Sequence, residues 1–321
     1  MIIVAGEALV DLVADEGPAP LDGRTRYTAI PGGSPANVAV GLARLGVPVE
    51  LLARLATDSF GRLLRAHLDA NGVGLTFARV VPEPTTLAVV NVDDKGAAAY
   101  DFYVQGTADW QWRPEELPAE LPAAATVLCT GSLAVALEPG ASVLRSLLHR
   151  ERERGAVTIV VDPNVRPALL GSPREARRLV EKLVALADVV KASEEDLHWL
   201  APGEQPADVA RTWAGLGPAL IVVTRGESGA YAVSAGGAAV TVPTRPVGVV
   251  DTVGAGDAFT AGLIDGLRLA GLLGRAARGR LSALDETTLT AVLDRAGLVA
   301  ALTCGRSGAD PPTAAELTAA G

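Results

Sequence analysis

With 321 residues, 49% of them apolar but only 4% aromatic, the chain has room for one large or two ordinary α/β domains around a core of Ala, Val and Leu. Its 28 basic against 37 acidic residues give a net charge of −9, which argues against a nucleic-acid-binding or membrane-binding surface. Cys129 and Cys304 lie far apart with no Cys-x-x-Cys, and His67, His149 and His198 have no second ligand at metal spacing, so neither a disulfide framework nor a zinc site is expected.

The chain opens on an all-apolar strand, 2–6, with no charged segment ahead of it. No apolar run approaches ~20 residues, so a soluble cytoplasmic protein is expected. Alternation resumes over 7–13, where Asp11 sits between apolar residues. A buried, unpaired acid there would be costly, so Asp11 is at an exposed strand end or bonded to something polar, such as a ligand's hydroxyls. Segment 15–30 is rich in Pro, Gly and Asp and reads as loop. Pro31-Gly32-Gly33 then turns into a helix that ends at Gly46, with Asn37 in its first turn. An Asn there both donates and accepts, which suits sugar hydroxyls, although an ordinary helix start would explain the same residues.

A strand at 49–54 and a helix at 58–70, opened by Asp58-Ser59, complete another β-α step. Three strands follow without a helix, at 75–81, 86–92 and 97–104, the last two joined by the turn Asp93-Asp94-Lys95-Gly96. They imply a small antiparallel sheet budding from the main domain as a lid, with Phe102, Tyr103 and Gln105 as candidates to face a ligand. From 126 the alternation returns, with strands at 126–130, 157–162, 188–191 and 219–224 and helices at 139–153, 173–186, 194–200 and 206–214. That rhythm implies a parallel sheet covered on both faces, with ligands bound at its C-terminal strand ends.

Three polar stretches fall at such ends: Asp162-Pro163-Asn164-Val165-Arg166, Lys191-Ala192-Ser193-Glu194-Glu195-Asp196 and Thr224-Arg225-Gly226-Glu227-Ser228-Gly229. The second is also readable as a plain Ser-capped helix start, and the third as turn chemistry. Helices are expected at 257–270 and 285–303. Between the strands and this tail lies Asp251-Thr252-Val253-Gly254-Ala255-Gly256-Asp257-Ala258-Phe259. Gly254, Ala255 and Gly256 leave backbone N–H groups open to close approach at a helix N-terminus, a site for phosphate or for charge developing on a phosphoryl group. A carboxylate at 257 would repel that phosphate unless it had a task, and taking a proton from a substrate hydroxyl is one. The alternative is an ordinary Gly-rich turn with an Asp favoured by the helix N-terminus.

Taken together, Gly32-Gly33-Ser34-Pro35-Ala36-Asn37-Val38-Ala39, the 251–259 stretch and Thr224-Arg225-Gly226-Glu227-Ser228-Gly229 resemble the signatures of the PfkB, or ribokinase-like, family of sugar kinases. Residues 6–11, 162–166 and 191–196 look most like its bacterial fructokinases. The resemblance implies a ribokinase-like three-layer α/β domain over 1–321, with a lid subdomain from about 12–30 and 84–107 inserted in it. It implies ATP-dependent phosphorylation of a primary hydroxyl, with fructose as first candidate and 2-keto-3-deoxygluconate kinase or ribokinase as rivals. A sugar-binding regulatory protein on the same fold is the non-enzyme alternative. By position, Asp257 would be the base, and Gly254, Ala255 and Gly256 the anion hole. Asp11, Gly32, Gly33, Asn37, Phe102, Tyr103 and Arg166 would meet the sugar. Thr224, Gly226 and Gly229 would hold the nucleotide. Ser193 and Asp196 occupy the family's Asn-x-x-Glu positions, which help place Mg²⁺ and phosphates through water, and both are substituted here. Asp251 and the carbonyl of Val253 would belong to a structural K⁺ site, and pairing of two lids would give a homodimer.

Overall fold

The computed structural model describes residues 1–14, 25–92, 98–275 and 277–320. The turn 93–96 and most of the loop expected at 15–30 lie outside them. In chain order the first half holds β1 (Ile2–Ala5), β2 (Leu9–Ala14), β3 (Tyr27–Gly32), α1 (Ser34–Arg44), β4 (Val49–Leu52), β5 (Arg54–Ala56), α2 (Ser59–Ala70), β6 (Arg79–Val81), β7 (Leu87–Val92), β8 (Ala98–Tyr103), β9 (Val127–Gly131) and α3 (Gly140–Arg154). The second half holds β10 (Thr158–Asp162), α4 (Pro167–Leu170), α5 (Pro173–Val184), β11 (Val189–Ser193), α6 (Glu194–Leu200), α7 (Pro206–Ala214), β12 (Leu220–Thr224), β13 (Ala230–Ser234), β14 (Ala239–Val242), α8 (Ala255–Leu269), α9 (Ala277–Ser282), α10 (Glu286–Cys304) and α11 (Ala314–Ala320).

Eight strands form one sheet in the order β14-β13-β12-β11-β10-β9-β1-β4, parallel from β4 to β12 and antiparallel at the β13–β14 edge. The strands are continuous apolar runs because successive side chains enter opposite layers, each buried under helices. Ile2, Val4, Val127, Val160 and Val222 pack under α1, α2, α8 and α10. Ile3, Leu128, Ile159, Val161 and Val223 pack under α3, α5, α6 and α7, where Trp110, Trp112 and Trp213 supply the bulk. The result is the three-layer α/β arrangement that the alternation implied.

The smaller sheet has the order β3-β2-β7-β8. Its two outer pairs are antiparallel and its central pair, β2 with β7, is parallel. Two expectations are corrected here. The loop 15–30 yields to a strand from Tyr27, which pairs antiparallel with β2. The strand expected at 75–81 is only Arg79–Val81, and it pairs with β5 away from the small sheet. Strands β13 and β14 and helices α9 and α11 were not expected from sequence. The β13–β14 hairpin turns through Gly236-Gly237, a signal that sits among too many other Gly-rich turns to stand out.

By length and composition α10 is apolar enough to cross a membrane. It packs instead along α8, where Gly262 and Gly266 let the two helices approach closely, a β-carbon on Gly262 coming within 2.8 Å of Ala296 Cα.

Candidate active site

Helix α8 begins at the C-terminal ends of the parallel strands. Its N-cap, Gly254, has φ 74°, and a β-carbon there would lie 2.5 Å from Ala309 Cβ, so both conformation and space call for glycine. Asp251 fixes the turn ahead of it: one carboxylate oxygen accepts from Val253 N at 3.0 Å and the other from Gly308 N at 2.8 Å. The amide of Ala255 bonds back to Thr252 O at 3.2 Å. The amides of Gly256 and Asp257 belong to the first helical turn, which has no carbonyl of its own to offer them, so they remain available to an anion.

Asp257 is the third residue of α8, and its carboxylate is held by a second helix. Ser34 Oγ donates to Oδ1 at 2.6 Å and Asn37 Nδ2 donates to Oδ2 at 2.8 Å. Ser34 and Asn37 are one turn apart in α1, so they present one face, and Gly33 caps that helix at φ 100°. Burial raises the pKa of Asp257 above the usual carboxylate range, although the residue keeps some open surface; the Ser34 and Asn37 hydrogen bonds oppose that rise, Asp162 adds to it, and Lys191 lowers it. The sequence motif placed Asn37 beside a sugar; its amide here engages Asp257. Ser34 stood inside the quoted motif without being singled out.

Behind the cradle lies a second charged group that sequence reasoning did not assign. Lys191, on β11 and 4% exposed, donates to Asp162 Oδ2 at 2.9 Å. Thr260 Oγ1 donates to the same oxygen at 3.1 Å. Burial pulls the pKa of the ammonium down, but Asp162, with Asp196 and Asp257 adding to it, outweighs burial and raises the pKa above the ordinary lysine value. The available signal was scarcity, since Lys occurs only at 95, 182 and 191.

On the other side of Asp257 the small sheet contributes Asp11. Burial raises its pKa to about 6, against the lowering effect of Arg166 and with Asp257 adding to the rise. The carboxylate fits against Gly32, where a β-carbon would stand 2.4 Å from Asp11 Oδ2. Arg166 folds back on its own loop, donating to Asn164 Oδ1 at 2.7 Å, and has no ion pair within the described residues. Cross-strand register puts Asp11, Ala88 and Phe102 on one face, with Tyr100 two residues along. Tyr100 stacks on Phe102 with ring centroids 5.9 Å apart, and burial and Asp11 raise its pKa. Tyr103 falls on the opposite face and is 61% exposed, so the structure brings Phe102 to Asp11 but not Tyr103. Gln105 lies exposed beyond the end of β8. Deeper still, Glu7 and Asp109 are fully buried, and burial raises each pKa to about 7.

The nucleotide candidates lie at adjacent strand ends, since Ser193 pairs with Thr224 in the β11–β12 ladder. Gly229, at φ 85°, closes the loop after Thr224, and Gly226 begins its short 3₁₀ turn. Ser193 and Asp196 form a reciprocal capping box for α6: Ser193 Oγ accepts from Asp196 N at 3.0 Å, and Asp196 Oδ2 accepts from Ser193 N at 2.9 Å. Asp196 Oδ1 also accepts from Val165 N at 2.8 Å, tying the 162–166 loop to α6. Their side chains therefore serve the backbone first. No group of three or more His, Cys, Asp or Glu able to hold a metal occurs among the described residues.

Known proteins resemble this chain along most of its length. The profile of the pfkB family of carbohydrate kinases matches residues 1–315. A fructokinase of Klebsiella pneumoniae is 37% identical over 273 residues, covering 84% of this chain and 85% of its own. The structure of a Xylella fastidiosa fructokinase with bound ATP superposes with a TM-score of 0.89 at 29% identity, covering 99% of this chain and 97% of that one. A Vibrio cholerae O395 fructokinase solved with fructose, ADP and calcium ion superposes at 0.82 with 30% identity and the same coverage.

Proposed function

The chain belongs to the pfkB family of carbohydrate kinases, and from that premise we propose that it transfers the γ-phosphoryl group of ATP to a primary hydroxyl of fructose, giving fructose 6-phosphate. The observation that carries the proposal is the carboxylate of Asp257, held on both oxygens by Ser34 and Asn37 at the mouth of the α8 amide cradle. Asp257 takes the proton from the sugar hydroxyl as that oxygen bonds the γ-phosphorus and the bond from phosphorus to ADP breaks. The charge on the transferring group faces the Gly256 and Asp257 amides and the positive end of α8; one such donor is worth roughly 10²–10³-fold in rate.

Asp11 would orient the sugar hydroxyls, and Arg166, with donors free of any carboxylate, would span sugar and phosphates. Thr224, Gly226 and Gly229 would receive the nucleotide. Mg²⁺ would enter with the ATP phosphates, which suits a site without a cage of carboxylates. The oxygens of Asp251, each with a lone pair beyond its one amide, and the carbonyl of Val253 are the hard donors that K⁺ requires. A cation there would supply positive charge beside the cradle. The small sheet would act as a lid over one domain, and two chains would pair through the lid faces that expose Tyr27 and Tyr103, in the cytoplasm. Sedimentation of the purified protein as a monomer would remove the pairing.

The assay is ATP-dependent ADP release with Mg²⁺ and K⁺ over fructose, ribose, 2-keto-3-deoxygluconate and adenosine. Fructose is expected to turn over fastest. A carboxylate substrate would meet the Asp11 charge, so preference for 2-keto-3-deoxygluconate would overturn the substrate, and silence with tight sugar binding would favour a regulatory protein.

A further inference from the structure

The Lys191–Asp162 pair does more than fill the space beneath α8. Asp162 reaches the helix at Thr260, whose hydroxyl also donates to Gly256 O at 3.0 Å, one turn earlier. Lys191 Nζ lies at the level of that earlier turn, 3.1 Å from where a β-carbon on Gly256 would stand. The buried pair is therefore a dipole laid along the first turn of α8, its negative end towards the helix interior and its positive end towards the amide cradle. It adds to the helix dipole in the same direction, in a place with little water to screen it.

The arrangement costs something to build. A Lys buried to 4% exposure loses hydration that one ion pair repays only with good geometry, and breaking either half leaves an uncompensated buried charge. An apolar pair of similar volume would hold β10, β11 and α8 together as well or better. The ammonium also has two further donors beyond the one spent on Asp162. Residue 256 has no side chain that would separate it from the cradle.

We propose that Lys191 is a positioning residue for phosphoryl transfer: its ammonium, set by Asp162 and admitted by the missing side chain at Gly256, supplies the fixed positive charge behind the amide cradle and stabilises both the ionised Asp257 and the charge on the transferring phosphoryl group. This rests on the kinase reading given above. The charge acts most strongly where negative charge accumulates, so its loss lowers kcat while the sugar KM stays near its original value.

The experiment compares the intact protein with Lys191→Met and with the double variant Lys191→Met/Asp162→Asn, which removes both buried charges and so folds without an orphaned carboxylate. The double variant is expected to keep kcat about 10²-fold below the parent, the cost typical of one preorganised donor, with an unchanged fructose KM. Recovery of at least half the parent kcat in the double variant would show that Lys191 is only the counter-ion of Asp162 and would overturn the inference. Silence of the parent itself on every sugar would overturn the kinase reading instead. The variants are then read by calorimetry with ATP and ADP: loss of ATP's advantage over ADP supports a charge behind the γ-phosphate site, and an unchanged ratio refutes it.

Discussion

Ser34→Ala isolates the hydrogen bond that the sequence motif contained without explaining. The 2.6 Å bond from Ser34 Oγ to Asp257 Oδ1 stabilises the ionised carboxylate and does nothing comparable for the protonated form, which has its own proton to place. A hydrogen bond to a charged group is worth about 1.5–3 kcal/mol, and each ~1.4 kcal/mol is tenfold in proton affinity, so the variant's Asp257 binds its proton at least about tenfold more tightly. Burial already raises the pKa of this carboxylate, and the substitution raises it further. A base works only when ionised, so kcat/KM on the acid limb is expected to fall about tenfold or more, while the alkaline plateau, where Asp257 is ionised in both proteins, falls by a few-fold at most. The assay is coupled ADP release followed from acid to alkaline pH across the range in which the parent stays folded. A uniform loss at every pH would refute the reasoning, since it would mean that Ser34 positions the substrate and leaves the ionisation of Asp257 alone.

Two further outcomes follow from the same geometry. Glu7 and Asp109, each with a pKa raised by burial to about 7, hold protons in the folded state that the unfolded chain releases at lower pH. The unfolded state binds fewer protons at these two sites, so their contribution to stability is fully present below the unfolded carboxylate range and falls by up to ~1.4 kcal/mol per pH unit per group as pH rises to about 7. Glu7→Gln is expected to flatten that slope in urea melts, and a parent equally stable at both ends of the window would contradict the assignment. In the lid, Tyr100→Ala is expected to raise the sugar KM several-fold because Tyr100 shares a face with Asp11, whereas Tyr103→Ala leaves it unchanged; a larger effect at Tyr103 would mean that a different face of the sheet covers the sugar.

What sequence made legible was whatever the backbone alone demands. Gly254 and Gly33 announce helix starts because their left-handed conformations exclude most other residues, and apolar runs separated by amphipathic helices announce a covered parallel sheet. Contacts that join distant segments were not legible. Ser34 meets Asp257 across 223 residues and Lys191 meets Asp162 across 29, and no local pattern encodes either meeting. The choice between Tyr100 and Tyr103 depends on strand register, where a shift of one residue exchanges the two faces of a sheet. Ser193 and Asp196 carried two readings in the sequence, a phosphate-placing motif position and a Ser-capped helix start, and their side chains form the capping box.

The most direct test of the central claim is the turnover of Asp257→Asn set beside its affinity for ATP. The substitution preserves shape, keeps an oxygen for Asn37 and presents an amide donor to the Ser34 hydroxyl, which can accept it, while removing the base. The account expects kcat to fall by about 10²–10⁴-fold with ATP affinity retained, the signature of lost general-base catalysis. A variant that keeps most of its turnover would show that the proton leaves the sugar by another route, and the site built around Asp257 would have to be read afresh.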